Sequence, residues 1–165
     1  MPLNLELKVK VNSHSNFISV LKSANAEKMG ILKQKDVYFK IKKGILKLRV
    51  ENKTFTMIKY FRDEKAKRWS NYELLKLEGA NPENYLRQIF DVEVVVEKKR
   101  MVWLYNNTRV HLDEVKGLGK FLELETLFIS TRQDAVKRFN DTVTLLNLDL
   151  SGQIRASYKN LLMKQ

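Results

Sequence analysis

The stretch Leu3–Val11 reads LNLELKVKV and alternates almost without fault. Leu3, Leu5, Leu7, Val9 and Val11 share one side; Asn4, Glu6, Lys8 and Lys10 share the other. Side chains alternate across a strand, so this period places apolar residues on one face and charged residues on its reverse. The same two-faced pattern recurs. Ile45–Glu51 (ILKLRVE) sets Lys47 and Arg49 against Leu46, Leu48 and Val50. Thr54–Arg62, Val92–Arg100 and Met101–Tyr105 are β-prone, and Arg68–Leu77 contains another strand. In Arg109–Glu125, Arg109, His111 and Asp113 oppose Val110 and Leu112, and Glu123 and Glu125 share a face across the Gly117-Leu118-Gly119 turn. Taken alone, that last pattern also describes the solvent face of a hairpin. Roughly eight such strands follow from the alternation. An open sheet turns a charged face to water, whereas a closed one can hold it in a lumen with its apolar face covered by helices.

Helical segments fall between and after the strands. Ser13–Gly30 keeps an apolar stripe through Phe17, Val20, Leu21 and Ala24, with Ser13 or Ser15 as cap and Gly30 as stop. Pro82–Phe90 starts with proline near its first turn. Thr131–Leu146 carries Ala135, Val136, Phe139 and Val143 at helical spacing and is expected to lie outside the sheet. Asn52-Lys53 and Asn106-Asn107 are expected hairpin turns. There is no internal repeat, low-complexity stretch or linker, so residues 1–165 read as a single domain with a core of its own.

The chain holds 31 Lys and Arg against 19 Asp and Glu, a net charge of +12, and no cysteine. Disulfides and thiol chemistry are excluded, and a cytoplasmic location is expected. No apolar run is long enough for a membrane helix. The positive surplus favours polyanionic partners: phosphate-rich small molecules, nucleic acid or an acidic surface. Nucleic-acid binding would place the cations on exposed helices and loops, as Lys22, Lys28, Lys33, Lys35, Lys42 and Lys43 allow. The cations that alternate with apolar neighbours along strands point instead to an enclosed small molecule, and nucleic acid stays a secondary partner.

Several motifs together resemble the CYTH superfamily, the triphosphate tunnel enzymes. Asn4, Glu6 and Lys8 are similar to its Glu-x-Glu-x-Lys signature, with Asn4 in place of the first Glu. Gln34-x-Asp36-x-Tyr38-Phe39 resembles its second-strand motif, and Leu46-Lys47-Leu48-Arg49 its LKLR strand. Tyr60-Phe61-Arg62, Arg68-Trp69-Ser70-Asn71-Tyr72, and Lys98 with Arg100 match further family strands. Asp113 and Glu123-Leu124-Glu125 resemble its late metal-binding strands. Ser157-Tyr158-Lys159-Asn160-Leu161-Leu162 resembles the ending of the class IV adenylate cyclase branch, with Asn160 for Asp.

The resemblance implies an α+β fold: an eight-stranded antiparallel β-barrel tunnel with helices packed outside. It implies a metal-dependent triphosphatase acting on inorganic triphosphate, thiamine triphosphate or a nucleoside triphosphate. Its alternatives are a class IV adenylate cyclase and a catalytically weakened polyphosphate- or nucleotide-binding protein, the latter motivated by Asn4. Substrate contacts would come from Lys8, Lys10, Lys47, Arg49, Arg62, Arg68, Lys98, Arg100 and Arg109. Glu6, Asp113, Glu123 and Glu125 would hold Mg²⁺ or Mn²⁺, with Glu6 and Lys8 at the reacting centre. A monomer or homodimer without membrane association is expected.

Overall fold

The structure, a computed structural model, describes residues 5–62 and 70–165; the side chains of residues 61, 62 and 70–72 lie outside the description. Eight strands form one antiparallel sheet: β1 (Leu5–Val11), β2 (Glu27–Phe39), β3 (Ile45–Glu51), β4 (Thr54–Arg62), β5 (Ser70–Leu77), β6 (Val92–Tyr105), β7 (Thr108–Val115) and β8 (Gly119–Thr126). Their hydrogen-bonded order is β1-β8-β7-β6-β2-β3-β4-β5. The helices are α1 (Ser15–Ser23), α2 (Pro82–Arg87), α3 (Arg132–Leu145) and α4 (Tyr158–Met163).

The sequence places a helix over Ser13–Gly30, but α1 stops at Ser23 and β2 has begun by Glu27. The stop is Asn25, left-handed at φ 58°, with Asn25 N–H donating to the Lys22 carbonyl and Ala26 N–H to that of Leu21. Asparagine tolerates that conformation and ends helices as glycine does. Gly30 sits inside the strand at φ 142°, a bend only glycine takes easily. The two asparagine-led hairpin turns behave as expected. Asn52-Lys53 and Asn106-Asn107 both have positive φ at each residue, the geometry whose twist matches two-residue hairpins. Asn81 and Thr131 cap α2 and α3 by accepting from backbone N–H groups of Asn84 and Asp134.

The described residues form two compact units. In the first, 1–32 with 99–157, the apolar faces of β1, β7 and β8 meet α1 and α3. Leu7, Val9, Val110, Leu112, Leu122 and Leu124 pack with Trp103, Leu21 and Leu146, joined by Phe17, Phe139 and Val143. Burying each such leucine contributes roughly 1.5–3 kcal/mol, so this face and its covering helices hold the unit together. Arg138 of α3 is buried and donates to the carbonyls of Asn107 and Leu127, closing the ends of β7 and β8.

In the second unit, 33–98 with 158–165, Val37, Phe39 and Leu48 pack on Leu86 of α2, and the Phe39 and Phe90 rings lie 5.7 Å apart. In both units the strand faces opposite these cores carry the charges. That is the division expected from the alternation.

Candidate functional site

Strand register turns the sequence pattern into rows of neighbours. On β1, β8 and β7, Glu6 is opposite Glu125, which is opposite Arg109. The next row is Lys8, Glu123 and His111, and the next Lys10, Phe121 and Asp113. Residues directly opposite in an antiparallel pair share a face, so all nine lie on the side away from the leucine core. The topology thus brings Glu6, Asp113, Glu123 and Glu125 to one face, as the sequence reading expects.

Within that face the charges are already sorted. Arg100 of β6 makes a two-pronged contact with Asp113, Nε to Oδ1 at 2.7 Å and Nη2 to Oδ2 at 2.8 Å, and its Nη2 lies 3.5 Å from Glu123 Oε2. Asp113 is wholly buried, and each of its oxygens accepts from this clamp. His111, also buried, has Nδ1 3.9 Å from Glu123 Oε1. Arg109 reaches Glu125 at 3.6 Å but is half exposed. Lys10 is exposed and lies over the Phe121 ring at 6.0 Å. Lys8 donates to the Ala156 carbonyl at 3.0 Å. Burial pulls the Lys8 ammonium below its ordinary pKa, and Arg100 adds to this, against the opposing pull of Glu123 and Asp113.

The second unit carries a matching clamp. Asp36 of β2 is opposite Arg49 of β3, and Tyr38 is opposite Lys47. Arg49 donates from Nε and Nη2 to the two Asp36 oxygens at 2.8 and 2.9 Å, and Lys47 Nζ donates to Oδ2 at 3.0 Å. One buried carboxylate therefore serves two cations. Burial alone would raise the Asp36 pKa, but the Arg49 hydrogen bond and the charges of Lys47 and Arg49 hold it well below the usual carboxylate range. Lys47 also donates to the Tyr38 hydroxyl at 3.4 Å. Burial, with Tyr60 and Asp36 nearby, pushes Tyr38 far above its ordinary value. Lys98 lies 5.5 Å from the Tyr158 ring. Lys159 pairs with Glu93 at 2.9 Å and lies 5.5 Å from the Tyr38 ring.

Asn4 and Arg68 lie outside the described residues, and Arg62 is described only as a strand position. Among the described residues, no three or more His, Asp or Glu side chains form a ready-made metal cluster. The donor set nevertheless suits a hard divalent cation. Glu6 and Glu125 are like charges directly opposite each other, an arrangement that is destabilising without a cation, and Glu123 follows on the same face. Asp113 is held by Arg100, Glu123 lies near Arg100 and His111, and Glu125 is reached by Arg109. The alternation does not reveal that Asp113 and Asp36 hold arginines; the signal lies in the register, which sets Asp36 against Arg49.

The sequence matches the family described as the CYTH domain over residues 2–158. No curated protein gives a significant sequence match. Among solved structures, a protein from Pyrococcus horikoshii is 24% identical with a TM-score of 0.78, the match covering 96% of this chain and 99% of that one. A candidate adenylate cyclase from Vibrio parahaemolyticus is 18% identical, TM-score 0.72, covering 97% of each chain. A candidate adenylyl cyclase from Hippeastrum, described as having a dominant triphosphatase activity, is 15% identical, TM-score 0.64, covering 98% and 96%. At these identities the likeness is one of fold.

Proposed function

The chain belongs to the CYTH family, whose fold it carries, and on that premise we propose that it hydrolyses a small triphosphate with the help of Mg²⁺ or Mn²⁺. The family binds triphosphate substrates and uses divalent ions in general; the activity, the choice of ion and the residue roles below are our own reading. The observation that carries it is the pair of arginine–carboxylate clamps, Arg49 with Asp36 and Arg100 with Asp113, on charged strand faces.

A triphosphate presents several non-bridging oxygens, and a guanidinium fixed by a carboxylate meets them without first losing rotamer freedom. Lys47, Arg49 and Lys98 within one unit are assigned to those oxygens, and Lys8 and Arg100 within the other unit are assigned phosphate contacts of their own. Lys10 and Arg109, being exposed, fill the outer contacts of this reading, and Arg62 and Arg68 keep the substrate contacts that the family resemblance gives them. Glu6, Glu123 and Glu125 would hold the ion, with Asp113 behind them as the residue that orients Arg100. A bound divalent ion neutralises charge on the phosphates and orients the attacking oxygen. Lys8, next to Glu6 and Glu123, would hold the phosphate under attack.

A class IV adenylate cyclase is the second reading, favoured by the Ser157–Leu162 stretch and by the names of two structural neighbours. A binding protein with a weakened ion site is the third, favoured by Asn4. The proposal also takes 1–165 as one functional domain, a monomer or homodimer in the cytoplasm; no helix is long and apolar enough to cross a membrane among the described residues.

The test is a phosphate-release screen over tripolyphosphate, thiamine triphosphate and ATP with Mg²⁺ or Mn²⁺, with cyclic AMP assayed in parallel. Phosphate release without cyclic AMP supports the hydrolase. Cyclic AMP supports the second reading, and tight binding without either product the third.

A further inference from the structure

Within the second unit, the charged face is interrupted on β4 and β5. Residues opposite one another form a row of Tyr38, Lys47, Ile58 and Leu74 across β2, β3, β4 and β5. The row beside it is Asp36, Arg49, Thr56 and Lys76. Opposite residues share a face, so Ile58 and Leu74 stand on the face of the Asp36 clamp and not on that of the core. The core side of the same two strands is supplied by Phe55, Met57 and Leu77, which pack against the cluster of Val37, Phe39 and Leu48. Leu74 is 59% exposed, and Ile58 is half-buried. Two aliphatic side chains therefore continue the row of Lys47, the further one two strand spacings, about 10 Å, away.

We infer that Ile58 and Leu74 seat the base of a nucleoside triphosphate whose phosphates lie on Lys47 and Arg49. This rests on the phosphate-binding reading above and names its substrate class. Small-molecule sites join an apolar wall to a few placed polar groups, and these rows do the same. Inorganic triphosphate is charged along its whole length and has nothing to set against two aliphatic side chains. The organic group must also be neutral. Lys47 is opposite Ile58, and Lys76 follows Leu74 on the same face, so a cationic ring such as the thiazolium of thiamine meets repulsion there. A nucleobase is neutral and presents a flat π-face, whichever base it is. The seat therefore selects for a base without reading which one.

Calorimetry without metal tests this, with tripolyphosphate, ATP and thiamine triphosphate titrated into the parent and Leu74→Ser. The substitution should weaken ATP binding about tenfold, the low end of what one apolar group in a site is worth, and leave tripolyphosphate binding unchanged. In the parent, ATP should bind more tightly than thiamine triphosphate. Ile58→Thr keeps a β-branched strand residue and should act in the same direction as Leu74→Ser. A loss shared equally by ATP and tripolyphosphate, or no loss for either, overturns the seat. Thiamine triphosphate binding as tightly as ATP overturns the assignment to a neutral base. If none of the three binds the parent, the phosphate-binding reading itself fails and the seat falls with it. Should Leu74→Ser not fold, Ile58→Thr and the comparison of ligands in the parent decide.

Discussion

Asp36→Asn is the substitution that asks most of the clamp. In the parent, one carboxylate with 2% exposure holds the Lys47 ammonium at 3.0 Å and the Arg49 guanidinium at 2.8 and 2.9 Å. Asparagine keeps the shape and one carbonyl acceptor but removes the charge. Two cations, one of them buried, are then left without their counter-ion. Removing one partner of a buried ion pair costs about 3–5 kcal/mol, most of it from the charge left behind. In a chain of this size 1 kcal/mol moves Tm by about 2–4 °C, so a fall of about 6–20 °C is expected by calorimetry in phosphate-free buffer.

Tripolyphosphate should then raise Tm more in Asp36→Asn than in the parent, because the anion supplies the missing negative charge. The pH dependence has a defined sign. The folded pKa of Asp36 is depressed, so its contribution is complete above the ordinary value near 3.8 and is lost as pH falls toward the folded value. The difference between parent and variant should therefore shrink below about pH 4. An unchanged Tm would refute the claim that the clamp is a stabilising pair. An equal ligand shift in both proteins would refute phosphate binding at Lys47 and Arg49.

Glu125→Gln should sharply reduce metal-dependent turnover while leaving the circular dichroism spectrum intact, and unchanged kinetics would rule out the Glu6/Glu125 ion site. Lys8→Met tests desolvation. Because burial lowers the Lys8 pKa, the unfolded chain binds more protons between the folded value and 10.5, and stability should rise with pH across that window in the parent and stay flat in the variant. Arg138→Met leaves the Leu127 carbonyl without its 2.6 Å donor and should cost about 1–3 kcal/mol in urea titration, with an unchanged slope. Asn4→Glu restores a carboxylate where the family signature has one; metal affinity and turnover should rise, and if neither does, the weakened-site reading loses its support.

The fold was legible because one physical signal repeated. β1, β3, β7 and β8 each pair an apolar face with a charged one, and a core of Leu7, Val110, Leu122 and Leu124 follows directly. Positive-φ asparagines marked both two-residue hairpins, and the same preference at Asn25 ends the helix well before the glycine expected to stop it. Which residues share the charged face was legible too. What each does there was not. Asp36 meets Arg49 because β2 and β3 pair in one register, and a slip would give the carboxylate another partner. The Ala156 carbonyl that meets Lys8 carries no signature at all, since every residue has one.

The two clamps also change how the net charge should be understood. A face holding only lysines and arginines would repel itself and bind any anion available, with strength set mainly by salt. Here Asp36 and Asp113 are buried behind their arginines, and each local group is partly neutral before a ligand arrives. The bidentate contact uses Nε and Nη2 in both cases, two of the five guanidinium donors, and fixes the plane of the rest. A lysine has no such plane to fix, which explains why arginine stands at both clamps and why lysines stand beside them. The clamps therefore contribute direction rather than bulk charge. Such donors favour a ligand whose oxygens match them over one that is merely negative, which is why the proposed function takes the phosphate chain ahead of the nucleic-acid backbone among polyanions compatible with a charge of +12.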